Sequence, residues 1–282
     1  MFKNLFSLTK PGIIFGNLIT LGAGFFLATH ESIDWIKLIG VMLGVSLIIA
    51  SGCVFNNCID VDIDRLMERT QNRVLVKGLI SIKFALIYAV VLAIVGIEVL
   101  YYTTNLLTVY TGIFGLFIYV VIYSLWLKRK STLGTLIGSF SGATPPVMGY
   151  VAVTNHFDLA SIIFFFILAI WQMPHSYAIA IYRLKDYTKA NIPVLPVKYG
   201  VKVAKIHMLF YTILFAVVAS LLTLKGYTGY IYLTVLWILS IYWIYLSIIG
   251  FGAKVDDRIW ARKLFMFSVI VITILSILIA LD

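Results

Sequence analysis

Around residue 60 the string Asn56-Asn57-Cys58-Ile59-Asp60-Val61-Asp62-Ile63-Asp64-Arg65 sets three oxygen-bearing side chains four residues apart. On a helix Asn56, Asp60 and Asp64 fall within about 80° of one another, stacked turn on turn, while Asp62 points about 200° away from Asp60. Two carboxylates on one face of a membrane-embedded helix need a cation or a pocket of donors. Mg²⁺ meets that need, because it favours oxygen ligands and is held by one or two carboxylates plus substrate phosphates. Opposite charge follows in Arg65, Arg69, Arg73 and Lys77, and again in Lys128-Arg129-Lys130. Carboxylates that hold Mg²⁺, beside cations that reach anionic oxygens, describe a diphosphate site. Without such a ligand the same residues form a helix end bridged to its neighbouring arginines.

A second group lies in Trp171-Gln172-Met173-Pro174-His175, whose apolar run ends in Tyr182-Arg183-Leu184-Lys185-Asp186. His175, Ile179, Tyr182 and Asp186 share one helical face. Pro174 is expected to kink the helix before the histidine. A histidine inside a membrane span is a functional candidate by default, and a satisfied core histidine is the alternative. His30, His156 and His207 stand at span ends or in loops and read as surface residues. The stripes Gly134-Gly138-Gly142 and Gly12-Gly16 read as helix-packing faces. Tyr119, Tyr123 and Asn17 either line a cavity or face neighbouring helices.

These residues need elements to carry them. The chain has 282 residues, 62% apolar and 12% charged, with a mean hydropathy of +1.02, far from the composition of a soluble domain. Apolar runs at 12–29, 38–56, 84–103, 106–127, 133–153, 159–182, 207–224, 229–249 and 264–281 predict nine membrane-spanning helices with short connections. Of the 22 Lys and Arg, all but Lys37 and Lys225 fall on the side of the N-terminus and of the connections after even-numbered spans. The net charge of +10 therefore records the positive-inside rule and does not indicate nucleic acid. That rule places the N-terminus in the cytoplasm and, after nine spans, the C-terminus outside. No small-residue cleavage site follows Thr29, so the first span is expected to be retained; without an Arg- and Ser-rich transit segment, a bacterial inner membrane is favoured. The free thiols Cys53 and Cys58 are too few and wrongly spaced for a metal pair.

The connections after spans two and six are long, rich in both signs of charge, and end in similar strings, Arg73-Val-Leu-Val-Lys77-Gly78 and Pro193-Val-Leu-Pro-Val-Lys198-Tyr-Gly200. Residues 1–282 read as one domain of two pseudo-repeat halves, about 1–130 and 131–282, sharing a site between their loops.

Asn56-x-x-x-Asp60-x-x-x-Asp64 resembles the first aspartate motif of the intramembrane aromatic prenyltransferases, the UbiA superfamily. The strings around residues 56–73, 171–183 and 256–263 resemble its haem-farnesylating branch, and the likeness runs through the whole chain. The resemblance implies nine helices around a lipid-accessible cavity, capped by cytoplasmic loops. It implies transfer of a farnesyl group from farnesyl diphosphate to a vinyl group of haem B, with water added, giving haem O and diphosphate. On that reading Asp60 and Asp64 hold Mg²⁺ and Asn56 orients the site. Arg69, Arg73, Lys77, Lys128, Arg129 and Lys185 then meet the diphosphate, beside Tyr182 and Asp186. His175 contacts haem, through iron or a propionate. The product would pass to a haem A-forming enzyme or to terminal oxidase assembly. One departure stands out: the second motif is Tyr182-x-x-Lys185-Asp186, where the wider superfamily has two aspartates four apart, which leaves a second metal in question. An acceptor such as a quinone precursor keeps the fold, whereas a secondary transporter would carry its acids at mid-span.

Overall fold

The structure is a computed structural model describing residues 1–29 and 32–281. His30 lies outside the described residues. A short α1 (Phe2–Leu8) precedes α2 (Pro11–Ala28), α3 (Trp35–Ile59) and α4 (Val61–Leu66). Then come α5 (Ile82–Thr103) and α6 (Leu106–Phe117), which passes through a π-helical stretch (Ile118–Leu127) into α7 (Lys128–Lys130). The second half holds α8 (Gly134–Gly142), α9 (Thr144–Thr154), α10 (Leu159–Tyr182), α11 (Leu184–Lys189), α12 (Leu195–Tyr199), α13 (Val201–Leu224), α14 (Tyr230–Ile249) and α15 (Asp257–Leu281).

Among the described residues eight helices are long and apolar enough to cross a membrane. The expected fifth span, 133–153, is broken at Ala143 into α8 and α9, because Pro145 and Pro146 cannot continue the hydrogen-bond ladder but suit a helix start. Side-chain caps at Asp34, Ser81, Asn105 and Asp158 satisfy free N–H groups where four of the spans begin. By contrast α10 runs unbroken through Pro174.

The helices form a ring closed by α15 against α2. Since lipid is as apolar as a leucine side chain, association in a membrane relies on close packing. Gly24 lies so near the Pro146 carbonyl, and Gly149 so near that of Leu21, that a Cβ on either would sit 1.9 or 2.1 Å from oxygen. Glycine is required at this α2–α9 crossing. The outer faces of α5 and α14 expose Ile87, Ile94, Ile238 and Ile241, as a lipid-facing wall does.

Candidate functional site

The ring encloses an apolar cavity of about 780 Å³. A smaller chamber of about 280 Å³ shares Tyr119, Gly138, Gln172, Ser176 and Ile179 with it and reaches Lys128 and Tyr187. Asn17 and Tyr119 line the large cavity, and Tyr123 the small one. The glycine expectation is corrected in part. A Cβ on Gly12 or Gly16 would meet nothing within 4 Å, and both residues face the cavity, so they open it and pack against no helix. Gly138 and Gly142 also line it, against Tyr123 and Gln172, while Gly134 packs on the Leu127 backbone.

The acidic row holds together. α3 ends at Ile59, yet the ladder continues from Asp60 N–H to the Asn56 carbonyl (3.0 Å) and from Asp64 N–H to that of Asp60 (2.8 Å). Asn56 Nδ2 donates to Asp60 Oδ2 at 2.7 Å. Asp60 and Asp64 are 0% and 2% exposed; Asp64 meets Arg73, and Asp60 meets Lys128 and, at 3.7 Å, Arg129. Arg73 reaches Asp64 because the following loop folds back: Thr70 Oγ1 donates to the Asp64 carbonyl at 2.9 Å, and Arg73 N–H to that of Thr70. Lys128 reaches Asp60 through the π stretch. At 100° per residue it would stand about 180° from Tyr119, and the wider i→i+5 turn returns it to the Tyr119 face.

Sequence reasoning missed one further cation. Lys10 Nζ donates to Asn56 Oδ1 at 2.8 Å. Its backbone takes the left-handed conformation (φ 52°) before Pro11, and Asn57 Nδ2 tethers the nearby Leu8 carbonyl at 2.9 Å. Burial, then the nearby Arg73 guanidinium, lower its pKa to about 8. The Lys10-Pro11 junction was the available signal, but only the fold brings it 46 residues along the chain to Asn56.

Other predicted residues are placed differently. Arg129 is turned to Asp62, with two bonds of 2.7 Å, and to the Ile59 carbonyl; Asp60 Oδ1 is 3.7 Å away. Its hydrogen bonds hold the Asp62 carboxyl below the usual range. Arg129 thus bridges Asp62, on the outer side of α4, to the buried Asp60 of the acidic row. Arg69, Lys77 and Lys185 are exposed and make no ion pair among the described residues. Asp186 left the face of His175 because α10 stops at Tyr182; its Oδ1 accepts the Glu68 N–H at 3.0 Å. Ile63, Met67, Ala190 and Ile192 pack together beneath this contact, docking the two loops. Tyr182 lines neither chamber and sits under Arg183. His156 is exposed as expected, whereas His207 is half-buried against Tyr177 and Tyr211.

His175 lines the large cavity, stacked on Trp171 at 4.5 Å and near Phe265 at 4.9 Å. Ser268 Oγ lies 2.8 Å from His175 Nδ1 and 2.6 Å from the Phe265 carbonyl oxygen. Two oxygens that close need a proton between them, so the single hydroxyl proton goes to Phe265 and Ser268 accepts from His175 Nδ1–H. Nε2 is then the basic nitrogen, and it makes no hydrogen bond among the described residues. A buried serine in an apolar span was the sequence signal for this partner.

The family described as the UbiA prenyltransferase family matches residues 17–269. This chain belongs to the UbiA prenyltransferase family. It is 55% identical over 280 residues to protoheme IX farnesyltransferase 2 of Pseudomonas fluorescens (strain Pf0-1), covering 99% of this chain and 95% of that protein. It is also 56% identical to the protoheme IX farnesyltransferase of Salmonella arizonae over 282 residues, 100% of this chain and 95% of that one. Among solved structures it is similar to a digeranylgeranylglyceryl phosphate synthase (TM-score 0.80, 20% identity, 99% and 97% of the two chains). It also resembles a UbiA homolog from Archaeoglobus fulgidus bound to GPP and Mg²⁺ (TM-score 0.68, 15% identity, 99% and 100%). At these identities the two structures speak for the fold alone. A UbiA prenyltransferase is a multi-pass membrane enzyme, and its helical ring around a central cavity is what this chain forms.

Proposed function

We propose that the protein transfers the farnesyl group of farnesyl diphosphate to a vinyl group of haem B, with addition of water, yielding haem O and diphosphate. One observation carries the reading: the acidic row met by Lys10, Arg73, Lys128 and Arg129 follows within about one turn of Gly52 and Cys53, which line an apolar cavity whose wall also presents the free Nε2 of His175. Full-length similarity to proteins named protoheme IX farnesyltransferase supports it. The free imidazole nitrogen favours an iron-bearing acceptor over a quinone precursor.

The residues fit Mg²⁺. Asp60 Oδ1 is buried without a hydrogen-bond partner, beside a second carboxylate, and among the described residues no group of three or more His, Cys, Asp or Glu forms a fuller metal cage. Asp60 and Asp64 would hold the ion, which supplies positive charge to a leaving diphosphate. Lys128, Arg73 and Lys10 exchange their contacts in the row for phosphate oxygens, where donors aimed at developing charge stabilise the transition state. The allylic C–O bond breaks with its electron pair going to diphosphate. Farnesyl C1 bonds the terminal vinyl carbon, and water adds to the carbon beside the porphyrin ring, losing one proton. The Tyr119 and Tyr123 rings, stacked at 5.8 Å, offer π faces to the allylic cation. The apolar lining delays water, and His175 Nε2 faces the iron of the haem substrate.

The halves 1–130 and 131–282 each give one loop to this site. The bacterial source of the similar proteins supports an inner membrane, and the lysine and arginine distribution supports an N-terminus in the cytoplasm and a C-terminus in the periplasm. Haem O would be consumed by a haem A-forming enzyme or in terminal oxidase assembly. The test incubates membranes with haem B, farnesyl diphosphate and Mg²⁺ and analyses extracted haem by mass: haem O is expected, and prenylation of another aromatic acceptor instead would refute the reading.

A further inference from the structure

The diphosphate site leaves one basic cluster unused. Tyr182, the last residue of α10, is surrounded by three guanidinium groups: Arg183 at 4.4 Å from the ring centroid, Arg258 at 5.7 Å and Arg262 at 5.9 Å. Two separate elements converge there, the end of α10 and the first turns of α15. None of the three arginines forms an ion pair among the described residues. The nearest acids in sequence are engaged elsewhere, Asp257 with Lys205 and Asp256 with the Arg258 and Ile259 N–H groups. Snorkelling toward water explains one arginine at a helix end. Three guanidiniums gathered on one ring without an acid paired to them, two of them on the exposed Arg258 and Arg262, form a concentrated and accessible surface for an anion.

The position of the cluster says which anion. Tyr182 is seven residues beyond His175, two turns on the same face and about 10 Å along the axis. Arg262 is one turn before Phe265 and two before Val269, both of which line the cavity with His175. The face shared by α10 and α15 thus runs from the histidine to the arginines. We propose that Arg183, Arg258 and Arg262 bind the two propionate carboxylates of haem while His175 faces its iron, Tyr182 holding the guanidiniums in place. This rests on the function proposed above.

The chemistry matches at both ends. Guanidinium forks pair bidentately with carboxylates, and a site at the helix ends spares the propionates the cost of entering the apolar cavity. Two anchors also prevent the macrocycle from rotating in its plane, so that one particular vinyl group meets the farnesyl carbon. A phosphate headgroup of an anionic lipid would satisfy the same guanidiniums but would not depend on the porphyrin.

The experiment uses the full-length protein in nanodiscs of phosphatidylcholine, titrated with haem B and with its dimethyl ester while the Soret band is followed. In the variant R183Q/R258Q/R262Q the preference for haem B over the ester is expected to fall about tenfold, the scale of losing a charge-assisted pair. Affinity for the ester and the axial-ligand spectrum should stay unchanged in that variant. Arg262→Gln alone, a milder change in case the triple variant fails to fold, is expected to lose about threefold of the preference. H175A should alter the spectrum with both porphyrins. A wild-type preference in both variants would overturn the proposal, as would a variant changed only in its response to added phosphatidylglycerol. Haem bound without any preference over the ester sinks this assignment alone, whereas a wild-type protein that binds neither porphyrin sinks the haem reading itself.

Discussion

The two loops that meet over the cavity carry similar charges and are built differently. In the first, both buried carboxylates of the row are met by cations, Asp64 by Arg73 from the same loop as it folds back and Asp60 by Lys128 from 68 residues along the chain. In the second, Asp186 is spent on a backbone N–H of the first loop, while Lys185 is exposed and unpaired among the described residues. A buried carboxylate is tolerated where a cation or donor compensates it. A single hydrogen bond to a loop is a structural tie. The contrast teaches that two loops of similar charge pattern are held differently: the first gathers paired charge around buried carboxylates, and the second ties itself to the first through a backbone hydrogen bond.

Substitutions can break or sharpen that contrast. The largest effect belongs to the first loop: Asp60→Asn or Asp64→Asn should lower haem O formation by about a thousandfold or more while the protein remains membrane-inserted. Near-normal turnover by either variant would dissolve the distinction. Next, Asp186→Ala removes the acceptor for Glu68 N–H and should cost about tenfold to a hundredfold. Asp186→Asn keeps an acceptor oxygen and should recover most of that loss; if both variants were equally inactive, Asp186 would be acting by charge and the two loops would be alike. For Lys10, whose pKa is lowered to about 8 by burial and Arg73, the sign is direct: the charged form is lost as pH rises through that value. kcat/KM should therefore fall on the alkaline side near pH 8, and Lys10→Met should be about tenfold slower at neutral pH and lack that limb. The smallest change is expected for Lys185→Ala, under about threefold, as for a solvated surface charge. A loss equal to that of Arg73→Ala would give the second loop a diphosphate role after all.

Much of this was legible beforehand. The span pattern, the Asn56-Asp60-Asp64 row and the intramembrane His175 follow from periodicity and from the cost of charge in lipid. The interruption at Ala143 was missed because apolarity reads across a broken span as easily as across a continuous one. The glycines at 12 and 16 misled, since the same stripe that lets helices touch also leaves space for a ligand. Arg129 and Lys128 are adjacent in sequence, and nothing in a charge pattern says that one turns to Asp62 and the other to Asp60.

By itself, then, the sequence determined that this chain crosses a membrane repeatedly and gathers its charges on one side, because hydration costs act on each residue wherever it lies. Which cation meets which member of the acidic row was decided only in three dimensions. Lys10 comes from before the first span, Arg73 from a loop that folds back, and Lys128 from a π-helical turn that rotates it onto the Tyr119 face. Ion pairs depend on distances of a few ångströms between groups far apart in the chain, and such distances exist only once the helices have packed.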